Sequence, residues 1–187
     1  MKTYEYSVSS ERADGCGLAT VQSVCADIIN AISRNFSSLD EGSADNGGLM
    51  LLRSEFEIDE RPKAEDNYNI SVWTVMDSPA RFSKCIRVTD YDGSEIGRGT
   101  TEWCKVDPEA KMPFANFLPC YINSCCDLLP KETLSSGLSV RLDFDFKDEP
   151  SPEDEVAFGL KRRNDENYLF YAKSGDRTLC KASITTE

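Results

Sequence analysis

Asp27 stands inside an apolar run, between Ala26 and Ile28, where loss of hydration raises a carboxyl pKa and makes a general base available near neutral pH. It also shares a narrow polar edge with Gln22, Asn30 and Arg34, which is the ordinary way for a helix to meet water. Just upstream, Asp14-Gly15-Cys16-Gly17 forms a turn. A thiol or backbone N–H there would meet the positive end of the helix dipole, which suits a lowered thiol pKa or an oxyanion hole; a plain turn explains it equally well. A third concentration is the acidic run Asp148, Glu149, Glu153, Asp154 and Glu155. Like charges raise one another's pKa and can poise one acid near neutrality, or the run is simply a solvated loop. These groups matter because the chain has no histidine. That count removes the usual neutral-pH proton shuttle, the triads built on histidine and the commonest zinc ligand.

The elements that must hold these residues repeat. Glu55-Phe56-Glu57-Ile58-Asp59-Glu60-Arg61-Pro62 is echoed by Asp143-Phe144-Asp145-Phe146-Lys147-Asp148-Glu149-Pro150, and both copies continue as Pro-x-x-Glu-Asp-x-apolar. Each is followed by two strand-like runs, a glycine turn and a last strand, so the order argues for duplicated units. Tyr4, Tyr6 and Val8 alternate as a half-buried strand; Leu18, Val21, Cys25, Ile28 and Ile32 recur at helical spacing, with Val24, Ile29 and Phe36 widening the stripe until the helix must be wrapped rather than covered. Polar, glycine-bearing residues 37–48 read as a loop. Alternation predicts strands over about 49–59, 68–76, 81–89 and 95–106, then about 138–146, 154–161, 168–173 and 178–184. Between the two sets a short helix through Phe117, Tyr121, Ile122, Cys125 and Leu128 must stop at Pro130. The expected fold is α+β: a tandem (double) hot-dog of antiparallel sheets, each wrapped around a central helix, with residues 1–112 as the first unit and 113–187 as a shortened second.

Composition narrows the partners. A chain of 187 residues that is 40% hydrophobic can bury one continuous core or two fused ones. Its net charge of −12 opposes binding to nucleic acid or to an anionic membrane surface, which both need a positive field. The N-terminus lacks the blocks of a secretion signal and no run is long enough to span a bilayer, so the expected location is cytoplasmic. Eight cysteines without a Cys-x-x-Cys pair read as reduced, mostly buried thiols. No metal and no cofactor is expected.

At this point the chain resembles the acyl-ACP thioesterase family. The resemblance lies in Gly48 to Lys63, similar to that family's first-domain strand and Arg-Tyr-Pro-Lys loop; in Val88 to Trp103, similar to its arginine-bearing hairpin; and in Tyr121-Ile122 with Asp127 to Glu132, similar to its second-domain helix end. It covers most of residues 4–113 and, more weakly, 117–184. It implies hydrolysis or binding of long-chain acyl thioesters in fatty acid metabolism. The family sets an Asp-x-Asn-x-His-x-Asn stretch before its second helix; an ungapped alignment puts Ala115 at the histidine position, and Asn116 is either a displaced remnant or a helix cap. The family's Arg-Arg-Glu-Cys segment corresponds to Lys147-Asp148-Glu149-Pro150, which keeps the glutamate. The resemblance thus implies Glu149 as the residue that activates water, beside Asp27 from the residues themselves, and weak turnover.

The remaining expectations concern substrate and carrier. Val21, Val24, Ile28 and Leu128 offer apolar helix faces for an acyl chain. An acyl carrier protein or coenzyme A is anionic, so capture by this acidic chain needs a local basic patch. Lys161, Arg162 and Arg163 are the densest cluster, with Arg61, Lys63, Arg98 and Lys181 at related places in the repeats. The rival readings are a non-catalytic acyl-thioester or fatty-acid sensor, and a structural protein assembling through an exposed sheet edge, which leaves a homodimer open.

Overall fold

A computed structural model describes residues 1–37, 48–106, 117–135 and 139–187. Four expectations lie outside the described residues: the loop after the first helix, the unit boundary at 112/113, and the placement of Ala115 and of Asn116. The elements in order are β1 (Lys2–Ser7), a 3₁₀ turn (Ser10–Arg12), α1 (Val21–Ser37), β2 (Gly48–Ile58), β3 (Asn67–Ser78), β4 (Arg81–Asp90) and β5 (Glu95–Val106). Then come α2 (Leu118–Leu128), α3 (Lys131–Ser135), β6 (Val140–Phe146), β7 (Ala157–Arg162), β8 (Asn167–Ser174) and β9 (Arg177–Thr186).

All pairings are antiparallel, in one sheet of strand order β1-β3-β4-β5-β2-β6-β9-β8-β7. The order reads outward from a β2–β6 seam: β5, β4 and β3 on one side match β9, β8 and β7 on the other. β1 and β7 are its open edges. At the seam Arg53 donates two hydrogen bonds to Asp143, at 2.8 and 2.6 Å, and Arg141 pairs with Glu55.

The alternation of each strand sends one set of side chains onto the helices. Phe56, Ile58, Ile70 and Ile86 from the first set of strands and Leu142, Phe144, Phe170 and Ile184 from the second share one core cluster with Val24, Cys25 and Ile28 of α1 and Ile122 and Cys125 of α2. α1 starts where the Thr20 hydroxyl accepts the Ser23 N–H at 3.1 Å, an N-cap that satisfies one of the donors left over at a helix start. α2 ends before Pro130 and is shorter than α1, at 11 against 17 residues. The five-residue α3 that follows was not expected from the sequence. Among the described residues no helix is long and apolar enough to cross a membrane.

Candidate functional site

α1 places Asp27 inside, at 8% exposure, whereas Asn30 and Arg34 face solvent. Its Oδ2 accepts the Tyr68 hydroxyl at 2.5 Å and meets the Arg12 guanidinium at 2.8 Å. Arg12 also donates to the Ser23 carbonyl at 2.7 Å. Burial, and then the bond to Asp27, push the Tyr68 phenol well above its ordinary pKa, so it remains a donor. Asp27 is therefore a carboxylate engaged by two partners from β3 and the 3₁₀ turn. Neither partner was singled out in the sequence, where alternation marks Tyr68 only as inward-facing.

Ahead of α1, the turn and the Arg-Pro-Lys loop lock together. The Ala19 N–H donates to the Pro62 carbonyl at 2.8 Å and the Ala64 N–H to the Gly17 carbonyl at 2.9 Å. Asp14 accepts the Cys16 N–H at 2.8 Å and the Leu18 N–H at 3.1 Å, and pairs with Arg61 Nη1 at 2.7 Å. Burial alone would raise the Asp14 pKa, but the bonds from Leu18, Arg61 and Cys16 outweigh it and hold it below the ordinary value. The Cys16 amide thus serves its own turn, and its thiol is exposed.

The loop after β6 shares two sets of backbone bonds with the loop after β2. Asp59 and Glu60 N–H both donate to the Ile96 carbonyl at 3.0 Å, while Lys147 and Asp148 N–H both donate to the Leu179 carbonyl, at 2.9 and 3.2 Å. Three residues further on, Asp66 accepts the Lys63 N–H at 3.1 Å and Asp154 accepts the Ser151 N–H at 2.6 Å. The Pro-x-x-Glu-Asp pattern is therefore a turn lock. By this register Glu149 occupies in the second half the place of Arg61 in the first.

β7 begins at 157 and not at 154 as expected, and Asp154 belongs to the loop, where it holds the Ser151 N–H, the Ser174 hydroxyl at 2.7 Å and Arg177. Chiefly through the Ser151 N–H, then Ser174, its pKa falls to about 2. A lowered folded-state value contributes stability above the unfolded value, near 3.8, that is lost as pH falls toward 2. Asp154→Asn is expected to flatten the fall of melting temperature across that acid window, and an unchanged slope in thermal scans would contradict the assignment.

The described parts also form a cleft of about 380 Å³ where the first turn of α1 passes the last turn of α2, walled by Val21, Cys126, Leu129 and Leu134 with Thr20, Gln22, Arg61 and Lys131 among its polar groups. The whole arrangement matches solved thioesterases. An acyl-ACP thioesterase from Bacteroides thetaiotaomicron superposes with a TM-score of 0.84 at 17% identity, covering 100% of this chain and 97% of that one. The chain has the thioesterase fold. A 12:0-ACP thioesterase from Umbellularia californica gives a TM-score of 0.83 at 8% identity over 100% and 96% of the two chains. HtdX from Mycobacterium tuberculosis gives 0.69 at 8% identity over 100% of both. No protein-family model and no curated protein matches the sequence.

Within the thioesterase fold the remaining candidates disperse. Val21, Val24 and Ile28 are packed at 1% exposure or less, and only Val21 reaches the cleft wall. Leu128 is 43% exposed at the end of α2. Lys161, Arg162 and Arg163 are exposed at the end of β7, with Arg162 paired to Asp165 at 2.5 Å. Glu149 is half-buried in the second-half loop, on the other side of the seam from Tyr68 and Arg12. The structure therefore does not join Glu149 and Asp27 into one dyad. All eight cysteines are free, and burial pushes Cys126 up to about 12, which disfavours thiolate chemistry there. Among the described residues no group of carboxylates and thiols is gathered as a metal site.

Proposed function

We propose that this protein takes long-chain acyl thioesters presented on an acyl carrier protein or coenzyme A, and that its turnover is slow. The observation that carries the reading is the loop register that equates Glu149 with Arg61, because Arg61 lies at the entrance to a core helix. On that symmetry Glu149 serves the entrance to α2. There it would take a proton from a water whose oxygen attacks the thioester carbonyl, while helix N–H groups polarise that carbonyl. When the C–S bond breaks, the same proton passes to the leaving thiolate, and a fatty acid and a free thiol result. The two halves are read as hot-dog units of residues 1–112 and 113–187, the second shortened, and the helix faces at Val24, Ile28 and Leu128 as the acyl-facing side.

The engaged state of Asp27 and the lack of histidine favour a second reading, in which the protein binds the acyl group without cleaving it. A panel of acyl-ACP and acyl-CoA substrates of increasing chain length separates the two. Slow thiol release with thermal stabilisation supports hydrolysis; stabilisation without release supports sensing. Neither effect with any substrate would end both readings.

The carrier is expected to dock on Lys161, Arg162 and Arg163. An exposed pair such as Arg162–Asp165 contributes little, so the cluster can turn to an acidic partner. Reversing all three charges should slow association, and the wild-type attraction should fade as the Debye length shortens from ~10 Å at 0.1 M salt to ~3 Å at 1 M. Affinity indifferent to both changes would exclude this face.

A further inference from the structure

We propose that the cleft between the first turn of α1 and the last turn of α2 is a separate binding site for a free fatty acid, its carboxylate held by Arg61 and the α1 N-terminus and its chain laid on Val21, Cys126, Leu129 and Leu134. The decisive group is Arg61. Its side chain is only 4% exposed; Nη1 is used by Asp14 and the Ala19 carbonyl, at 2.7 and 3.3 Å, while Nη2 is buried and has no hydrogen-bond partner among the described residues. A buried guanidinium N–H without an acceptor costs free energy that an anionic oxygen would recover through a charge-assisted bond.

The surroundings supply the rest. The first N–H groups of a helix point outward without intrahelical acceptors and carry the positive end of its dipole, and here they belong to α1, whose Val21 and Gln22 line the cleft. Arg61 also walls a second hollow, but that one is lined by Glu60, Glu65, Asp66, Asp90 and Asp92 against Arg61 and Lys63, which would repel an anion. In the cleft, Arg61 and Lys131 are balanced by Asp14 and Asp127. A singly charged carboxylate suits a site of that balance better than a phosphate dianion. The walls decide the remainder of the ligand: four apolar or thiol-bearing side chains beside one polar mouth take an alkyl chain, and about 380 Å³ falls at the small end of the roughly 300–1,000 Å³ usual for ligand sites.

The site lies at the helix entrance opposite in the repeat to that assigned to Glu149, so it does not depend on turnover at α2. It is tested by calorimetric titration of decanoate, decanol, inorganic phosphate and coenzyme A into wild type, Gln22→Glu and Arg61→Gln. Decanoate should bind wild type and weaken about tenfold or more in either variant, the scale of losing one charge-assisted hydrogen bond. Gln22→Glu guards against misfolding, because an acid in the first turn favours the helix while repelling a carboxylate; its weak binding of decanol should be unchanged. Decanol binding as tightly as decanoate, decanoate binding indifferent to both substitutions, or phosphate and coenzyme A displacing decanoate from the wild type would each overturn the proposal. Loss of thioester hydrolysis in Glu149→Gln with decanoate binding intact would keep the two sites apart.

Discussion

Glu149→Gln is expected to remove ~10²–10⁴-fold of the thioester hydrolysis rate, the usual contribution of a general base. The change conserves shape and leaves the loop lock untouched, since that lock uses the backbone N–H groups of Lys147 and Asp148 and the carboxylate of Asp154. The Glu149 N–H, which donates to Asp148 Oδ1 at 2.9 Å, is also retained. Lost kcat with unchanged melting temperature would therefore report chemistry and not folding. Asp27→Asn is the counterpart with the opposite signature: it strips the charge that Arg12 and Tyr68 share, so it should lower stability first. Turnover surviving both substitutions at ordinary thioesterase rates would show that neither acid activates water.

Phe144→Ala is expected to cost about 4 kcal/mol, within the range for truncating a buried aromatic ring, against a total near 5–15 kcal/mol for a folded domain. Phe144 has no exposed surface; it stacks on Phe146 at 6.5 Å and meets Phe170 edge-on at 6.3 Å between ring centroids. The informative readout lies on the other side of the seam. Both tryptophans, Trp73 and Trp103, belong to the first half, while the core cluster is shared by both halves. If the shared core unfolds as one unit, tryptophan fluorescence and far-ultraviolet circular dichroism should move together to the lower midpoint. A fluorescence transition left at its wild-type position would show that the halves melt separately.

The strands were legible because inward and outward residues alternate wherever one sheet face covers a helix, as in Phe56 and Ile58 or Phe144 and Phe146. Their pairing was not. The seam is a β2–β6 backbone ladder that brings Arg53 to Asp143, 90 residues away, and no local pattern marks which strands will meet. The Pro-x-x-Glu-Asp repeat announced itself, yet its purpose emerged only when both aspartates were seen returning to the backbone three residues earlier. In the second half the exchange keeps Asp154 in the loop, outside the strand that alternation would start there. Asp27 was visible as an acid in an apolar run, but its neighbours come from Arg12 and Tyr68, residues that packing alone brings to it. The orphaned Nη2 of Arg61 could not be read at all, since a hydrogen bond left unmade has no sequence signature.

The β7 edge bears on how readily the sheets of two molecules could join. An open strand presents unpaired amides and carbonyls to any other chain, and β7 is six residues long with Lys161 and Arg162 at its end and Arg163 just beyond. A second molecule extending the sheet would have to lay its strand over these cations, and charged side chains on an edge strand oppose such pairing. Changing the three residues to glutamate would keep a charged edge with the sign inverted, whereas changing them to valine would leave a short apolar lip on which sheets could join edge to edge. Carrier capture and resistance to fibre growth would then depend on the same three side chains, one through their sign and the other only through their charge.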